Sequence, residues 1–269
     1  MRNLTIEASI QDFHSDPPGG NHDDPILTAA GMLEYRRRSG TAPKTSPPRS
    51  AILCFQPGLV SEIKKKYRLK KVDGFFGDFY LVKSIPEEIG VLCNFGIGAP
   101  AAVVLLEDLA AFGVKRFFSI GLAGGLQGDM QSGDLIIPEK TIRGDGTSSY
   151  YQEPSLYAAP SPLIQRGIQD QLHAMHLAYR AGTTWSTDAP YREMSSIVQD
   201  YQEQGVLAVD MEASALFAAA SRLGVQIGAA FSIADTLSGL NWQLSPVTGS
   251  PMDGLISLFE VALQVLTRE

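Results

Sequence analysis

The chain has 269 residues, 44% of them hydrophobic and 19% charged, with 29 acidic against 22 basic side chains and a net charge of -7. That balance is globular and argues against a general nucleic-acid binder. No stretch approaches ~18 apolar residues, so no membrane span is expected. The first residues lack the apolar segment of a signal peptide. The two cysteines, Cys54 and Cys93, each sit in an apolar strand-like run, which predicts buried free thiols and a cytoplasmic protein. Two thiols alone do not make a zinc site, and neither a metal nor another cofactor is expected.

Residues 1–48 read as an N-terminal extension and linker, and 49–269 as one domain. Residues 14–24 are rich in Asp, Pro and Gly and predict a loop. Residues 25–38 predict a short helix with a basic end at Arg36, Arg37 and Arg38, which suits the helix dipole. A proline-rich linker follows over 41–50, and the extension reads as a solvated or subunit-contact arm. Residues 51–55 predict a buried strand, 59–67 a helix, and 75–82 and 90–94 further strands. The turn 95–100, Phe-Gly-Ile-Gly-Ala-Pro, leads into a helix over 101–112. Glycines ahead of a helix let backbone amides approach a ligand; the spacing fails the dinucleotide fingerprint.

Residues 114–120 predict a strand that ends in a second glycine turn over 121–126, Gly-Leu-Ala-Gly-Gly-Leu. Strand 133–138 leads to Arg143-Gly144-Asp145-Gly146-Thr147-Ser148. A helix over 161–174, a strand over 179–186 and a helix over 191–204 follow. His173 and His176 have no acid or thiol near them in sequence and read as surface or packing residues. Strand 225–234 ends in Asp235, a loop containing Trp242 fills 237–251, and an amphipathic helix over 252–266 closes the chain. This β/α alternation predicts a single-domain three-layer α/β/α sandwich around a central mixed sheet.

The organising stretch is Val209-Asp210-Met211-Glu212-Ala213-Ser214-Ala215, where a short buried strand turns into a helix. Acids at a helix start are favoured by the dipole alone; at a strand end in an α/β fold they also stand where ligands bind. The stretch resembles the ribose-binding signature of the nucleoside phosphorylase family, usually Glu-Met-Glu-Ala. That family includes uridine and purine nucleoside phosphorylases and methylthioadenosine nucleosidase. The two glycine turns, the Arg143 segment and Asp235 resemble further family motifs in the same order, so the likeness covers roughly residues 50–267.

The resemblance implies cleavage of a nucleoside's N-glycosidic bond, through a transition state with oxocarbenium character. It assigns Glu212 to the ribose hydroxyls, with Met211 as an apolar ribose face. Asp210 stands where glutamate is usual, so a second ribose contact is shortened. Asp235 acts at the base, as a general acid near a purine N7. Gly98, Leu122, Ala123 and Gly124 line the site, with Tyr191 and Arg192 at the base; the uracil-reading Gln-x-Arg pattern is not evident, which favours a purine. The family's phosphate-binding arginines are missing. Glu62 and Ser119 stand at two of their positions, and Leu122 replaces a hydroxyl residue. Glu62 resembles the water-activating glutamate of the hydrolytic branch, although a glutamate in a first helical turn is favoured anyway.

A nucleosidase is therefore slightly preferred. A phosphorylase with a rebuilt phosphate site, using Arg143, Lys83 or a partner subunit, and a non-catalytic nucleoside-binding protein stay open. The partners are a small-molecule nucleoside with water or phosphate, and a second copy of the chain, as a dimer or trimer of dimers; no nucleic acid or membrane is involved.

Overall fold

The computed structural model describes residues 25–85, 88–243 and 251–267; the loop expected over 14–24 lies outside them. Among the described residues the chain order is α1 (Ala29–Arg38), β1 (Ser50–Cys54), α2 (Pro57–Lys66), β2 (Leu69–Val72), β3 (Asp78–Val82), β4 (Ile89–Cys93), α3 (Ala99–Phe112), β5 (Arg116–Gly125), β6 (Leu135–Gly144), β7 (Tyr157–Ala158), α4 (Pro162–Ala174), β8 (Arg180–Thr187), α5 (Ser195–Glu203), β9 (Ala208–Asp210), α6 (Ala213–Leu223), β10 (Gln226–Thr236) and α7 (Pro251–Thr267). No helix among them is long and apolar enough to cross a membrane.

The strands form one mixed sheet sandwiched by helices. Adjacent strand residues point to opposite faces. Phe117 accordingly packs with residues of α3 and α6, while Phe118 packs with α2, α4 and α7. Both rings are fully buried. Helix α6 has an unbroken buried run from Ala213 to Ala220, and small side chains there let the helix lie close to its neighbours.

The sheet also closes on itself. β5 pairs in parallel with β1 on one side and with β10 on the other. β10 pairs antiparallel with β6, β6 and β9 flank β8 in parallel, and β9 returns antiparallel to the far end of β5. Five strands thus make a ring, and β1, β4, β3 and β2 extend from it as an open wing. β10 carries a register shift between Ile233 and Asp235. A bulge of this kind re-aims the side chain that follows it.

Three expectations need correction. The stretch 121–125 is not a turn: β5 runs through Gly125, because β10 and β9 supply it with partners on both sides. The helix expected over 191–204 is broken into a 3-10 turn at Pro190–Arg192 and α5. β2 is an additional strand, built by the hairpin with β3. The extension is also more than a solvated arm. α1 is capped by Thr28, whose Oγ1 accepts the Gly31 N–H at 3.0 Å. It packs on α3, buries Leu33 and pairs Arg36 with Asp108 at 3.4 Å.

Candidate active site

The ring positions the site. In register, Asp235 of β10 lies beside Gly124 of β5, and Gly124 lies beside Val209 of β9, one residue before Asp210. Gly124 has to be small here. A Cβ added to it stands 3.2 Å from a Val209 methyl and 3.6 Å from Asp235 Oδ1.

Asp210 is the last residue of β9, and it caps α6. Its Oδ2 accepts the backbone N–H of Glu212 at 2.8 Å and of Ala213 at 2.7 Å, and its Oδ1 accepts the Ser186 hydroxyl at 2.6 Å. Ser186 Oγ in turn accepts the Ser214 N–H at 3.0 Å. Hydrogen bonds to a carboxylate are each worth about 1.5–3 kcal/mol, and here they offset the penalty of full burial. Asp210 is therefore a structural keystone that holds Met211 and Glu212 in place. The Arg143 segment supports the same corner. Asp145 accepts the Ser148 N–H at 2.6 Å and the Ser214 hydroxyl, while Arg143 is occupied by Ser148 Oγ at 3.0 Å and by the carbonyls of Gln152, Glu153 and Ser155.

Glu212 stands at the N-cap position of α6, and its Oε1 accepts the Gly98 N–H at 2.5 Å. Gly98 has φ of 99°, a conformation that glycine adopts without strain and that turns its amide toward this carboxylate. Burial first, and then the Asp210 charge, push the Glu212 carboxyl well above the usual carboxylate range.

Met211, Glu212, Asp210 and Asp235 share a cavity of about 590 Å³ with Phe55, Gln56, Ile97, the run Gly121–Gly124, Pro190, Tyr191, Glu193, Leu237 and Trp242. The Trp242 indole N–H donates to Asp235 Oδ2. Burial, and then the Asp235 charge, raise Glu193 from 4.5 to about 7. Among the described residues no lysine or arginine lines the cavity, and no group of three or more His, Cys, Asp or Glu is arranged to hold a metal ion.

Most of the expected residues meet here: Met211, Glu212, Asp210, Asp235, Tyr191, Leu122, Ala123 and Gly124 line the cavity, and Gly98 touches it through Glu212. Two do not. Arg192 is exposed and outside the lining. Glu62 lies on α2, outside the cavity, with both carboxylate oxygens 2.7 Å from Lys65 Nζ. The pair is an i, i+3 contact on the helix surface. The two cations considered for a rebuilt phosphate site are also committed elsewhere, Arg143 as above and Lys83 to Glu88. Glu193, Phe55, Gln56 and Leu237 are lining residues that sequence reasoning missed. The acidic Glu193, one residue beyond the Tyr191-Arg192 pair, was the available signal.

A guanosine phosphorylase from Halorubrum lacusprofundi is 33% identical over 142 residues, which is 51% of this chain and 57% of that protein. A uridine phosphorylase from Haemophilus influenzae is 28% identical over 152 residues, 51% of this chain and 60% of that protein. A DeoD-type purine nucleoside phosphorylase from Bacillus cereus is 30% identical over 148 residues, 52% and 60% of the two chains. The chain thus spans well under two thirds of these relatives. The solved uridine phosphorylase of Vibrio fischeri ES114 matches in fold with a TM-score of 0.72 at 23% identity, over 83% of this chain and 93% of that one. The model of the phosphorylase superfamily matches residues 49–247, and the chain belongs to that family.

Proposed function

We propose that residues 49–269 form a catalytic domain that cleaves the N-glycosidic bond of a nucleoside, with a purine favoured as the base and water as the acceptor. The observation that carries this reading is the one cavity that both Glu212 and Asp235 line, with Gly124 in register between Asp235 of β10 and Val209 of β9. Glu212 takes the ribose hydroxyls, Met211 lies against the sugar's apolar face, and Asp235 faces the base. As the bond breaks, positive charge grows on the sugar. An ionised Glu212 in a partly water-excluded cavity stabilises that charge without reorganising.

Water is favoured over phosphate because, among the described residues, four carboxylates and no cation line the cavity. A dianion there loses the charge-assisted bonds that hold it, each worth about 1.5–3 kcal/mol, and meets repulsion. The position of Glu62 on α2, outside the cavity lining and paired with Lys65, does not support it as the base that activates the water. A second reading is phosphorolysis, supported by the relatives, which are phosphorylases by name. It requires cations from a second copy of the chain. The exposed apolar Ile97 and Val104, beside the cavity and on α3, support such a homo-oligomer. Buried free thiols at Cys54 and Cys93 fit a cytoplasmic place of action.

The test is product release from purine and pyrimidine nucleosides with and without phosphate. Free base and free ribose without phosphate are expected. Strict phosphate dependence with ribose 1-phosphate as product establishes the second reading instead, and no cleavage of any nucleoside refutes both.

A further inference from the structure

We propose that the outer edge of β2, on the far side of the sheet from the cavity, is a docking surface for this chain's own acidic segment, residues 4–11, which adds there as a further strand. The inference does not depend on the reaction.

The edge is open. β2 ends the wing of the sheet, and among the described residues it pairs only with β3. The Arg68 carbonyl accepts the Lys83 N–H at 2.9 Å. Backbone groups of successive strand residues turn to opposite edges, so Leu69 and Lys71 turn theirs away from β3. Such a row of unpaired groups is a template for an added strand. A groove of about 600 Å³ runs beside it, with Thr41, Lys44 and Thr45 of the linker on one side and residues 70–74 on the other. The groove leaves room for extended chain.

The charge of the surface selects the occupant. Residues 36–83 carry twelve Lys and Arg against three Asp and Glu, in a chain whose net charge is -7. At the groove, Lys44 and Lys70 are exposed and make no ion pair among the described residues, while Lys71 holds Asp78 at 2.5 Å. Lysines on an edge keep most strands off; an acidic strand is the one they admit. Residues 1–24 carry one Arg against five Asp and Glu. Within them, residues 4–11 read Leu-Thr-Ile-Glu-Ala-Ser-Ile-Gln, apolar and polar in alternation, which is the strand period. Glu7 stands on the polar side, and Asp12 follows. The segment also reaches. α1 has 10 residues and is about 15 Å long. Its C-terminal end adjoins the groove, where Arg36 Nη1 donates to the Gly74 carbonyl at 3.3 Å. Residues 12–24 span up to about 40 Å when extended, more than enough to return along α1.

The test is residue-resolved hydrogen exchange of the full chain, native and with Ile6→Pro or Glu7→Lys. In the native chain the Leu69 and Lys71 amides are expected to exchange at least tenfold more slowly than in Ile6→Pro, with a smaller change in Glu7→Lys. The Lys70 amide, which faces β3, is expected to be the same in all three. Equal rates at Leu69 and Lys71 in the native chain and Ile6→Pro overturn the proposal. Zero-length carbodiimide coupling of a mixture of light and heavy isotope-labelled chains then identifies the source of the segment, with the Glu62–Lys65 pair as internal standard. Links from Glu7 or Asp12 to Lys44, Lys70 or Lys71 are expected within chains of one label. Light-to-heavy links overturn the assignment in favour of a second copy's segment. No link to these three lysines, or links spread equally over the exposed Lys115 and Lys140, overturns the site.

Discussion

The two ends of the cavity are built on opposite plans. At the β9–α6 corner, Asp210 is buried and makes three hydrogen bonds, and Glu212 is buried and tied to Gly98. At the rim, Tyr191 is 100% and Trp242 63% exposed, and among the described residues the Glu193 side chain has no hydrogen bond and the Asp235 carboxylate accepts the Trp242 indole N–H alone. The first end is preorganised and has little room to change partners. The second presents charge and aromatic surface on short turns, where substitutions alter what is bound before they alter the fold. On the proposed reading, the sugar shared by every nucleoside sits at the first end, and the base, which differs between them, at the second.

The sharpest way to break this contrast is at Glu212. Glu212→Gln keeps the shape and removes the charge, so kcat/KM is expected to fall about 10²–10³-fold, as for loss of a preorganised electrostatic contact. Because burial and Asp210 raise this carboxyl, only its ionised form stabilises the sugar cation. Native kcat/KM therefore rises with pH across a limb above the usual carboxylate range, and Glu212→Gln lacks that limb. A flat native profile measured with a neutral nucleoside refutes the assignment. Asp210→Ala comes next. It leaves the amides of Glu212 and Ala213 and the Ser186 hydroxyl without their acceptor, and is expected to destabilise the fold by about 3–5 kcal/mol. Chemical denaturation measures it, and a change under ~1 kcal/mol contradicts the keystone role.

Smaller effects are expected at the rim. A group whose pKa is raised on folding binds more protons when folded, so stability falls as pH climbs from 4.5 through about 7, the window of Glu193. Glu193→Gln is expected to raise Tm at pH 8 relative to the native chain and to leave it unchanged at pH 4. The same gain at both pH values removes the electrostatic explanation. The smallest effect belongs to Glu62→Gln. It loses a surface pair with Lys65, worth about 0.3–0.5 kcal/mol, and kcat is expected to stay within about twofold, since a surface change of this size lies within ordinary scatter. A large loss of activity would return Glu62 to the reaction.

The same contrast explains what was legible in the sequence. The β9–α6 corner was readable because its chemistry is local. Two acids two residues apart at a change of hydrophobic period fix both the strand end and the helix start, and the ribose role came from the resemblance. Asp210 was read as a shortened second ribose contact, and nothing in the sequence reveals that Ser186 on β8 and two amides also bond its oxygens. Glu62 was placed at the reaction by motif position, and the helix surface then gave it Lys65. The strand through 121–125 was read as a turn because three glycines weaken strand propensity; only pairing with β9 and β10, remote in sequence, overrides that. Glu193 and Phe55 entered for the same reason: long-range pairing brings them together, and no local pattern encodes it.

Ring closure also sets an order of assembly. β5 cannot bury both its edges until β10 pairs with it, and β10 follows every other strand in the chain. Contacts between segments so distant in sequence form slowly. Until β10 emerges, the apolar strand β5 of a growing chain has an open edge available for wrong pairing. Asp235 sits on that last strand, so the cavity is finished only when folding is, and a chain cut short before it has neither a closed sheet nor a site.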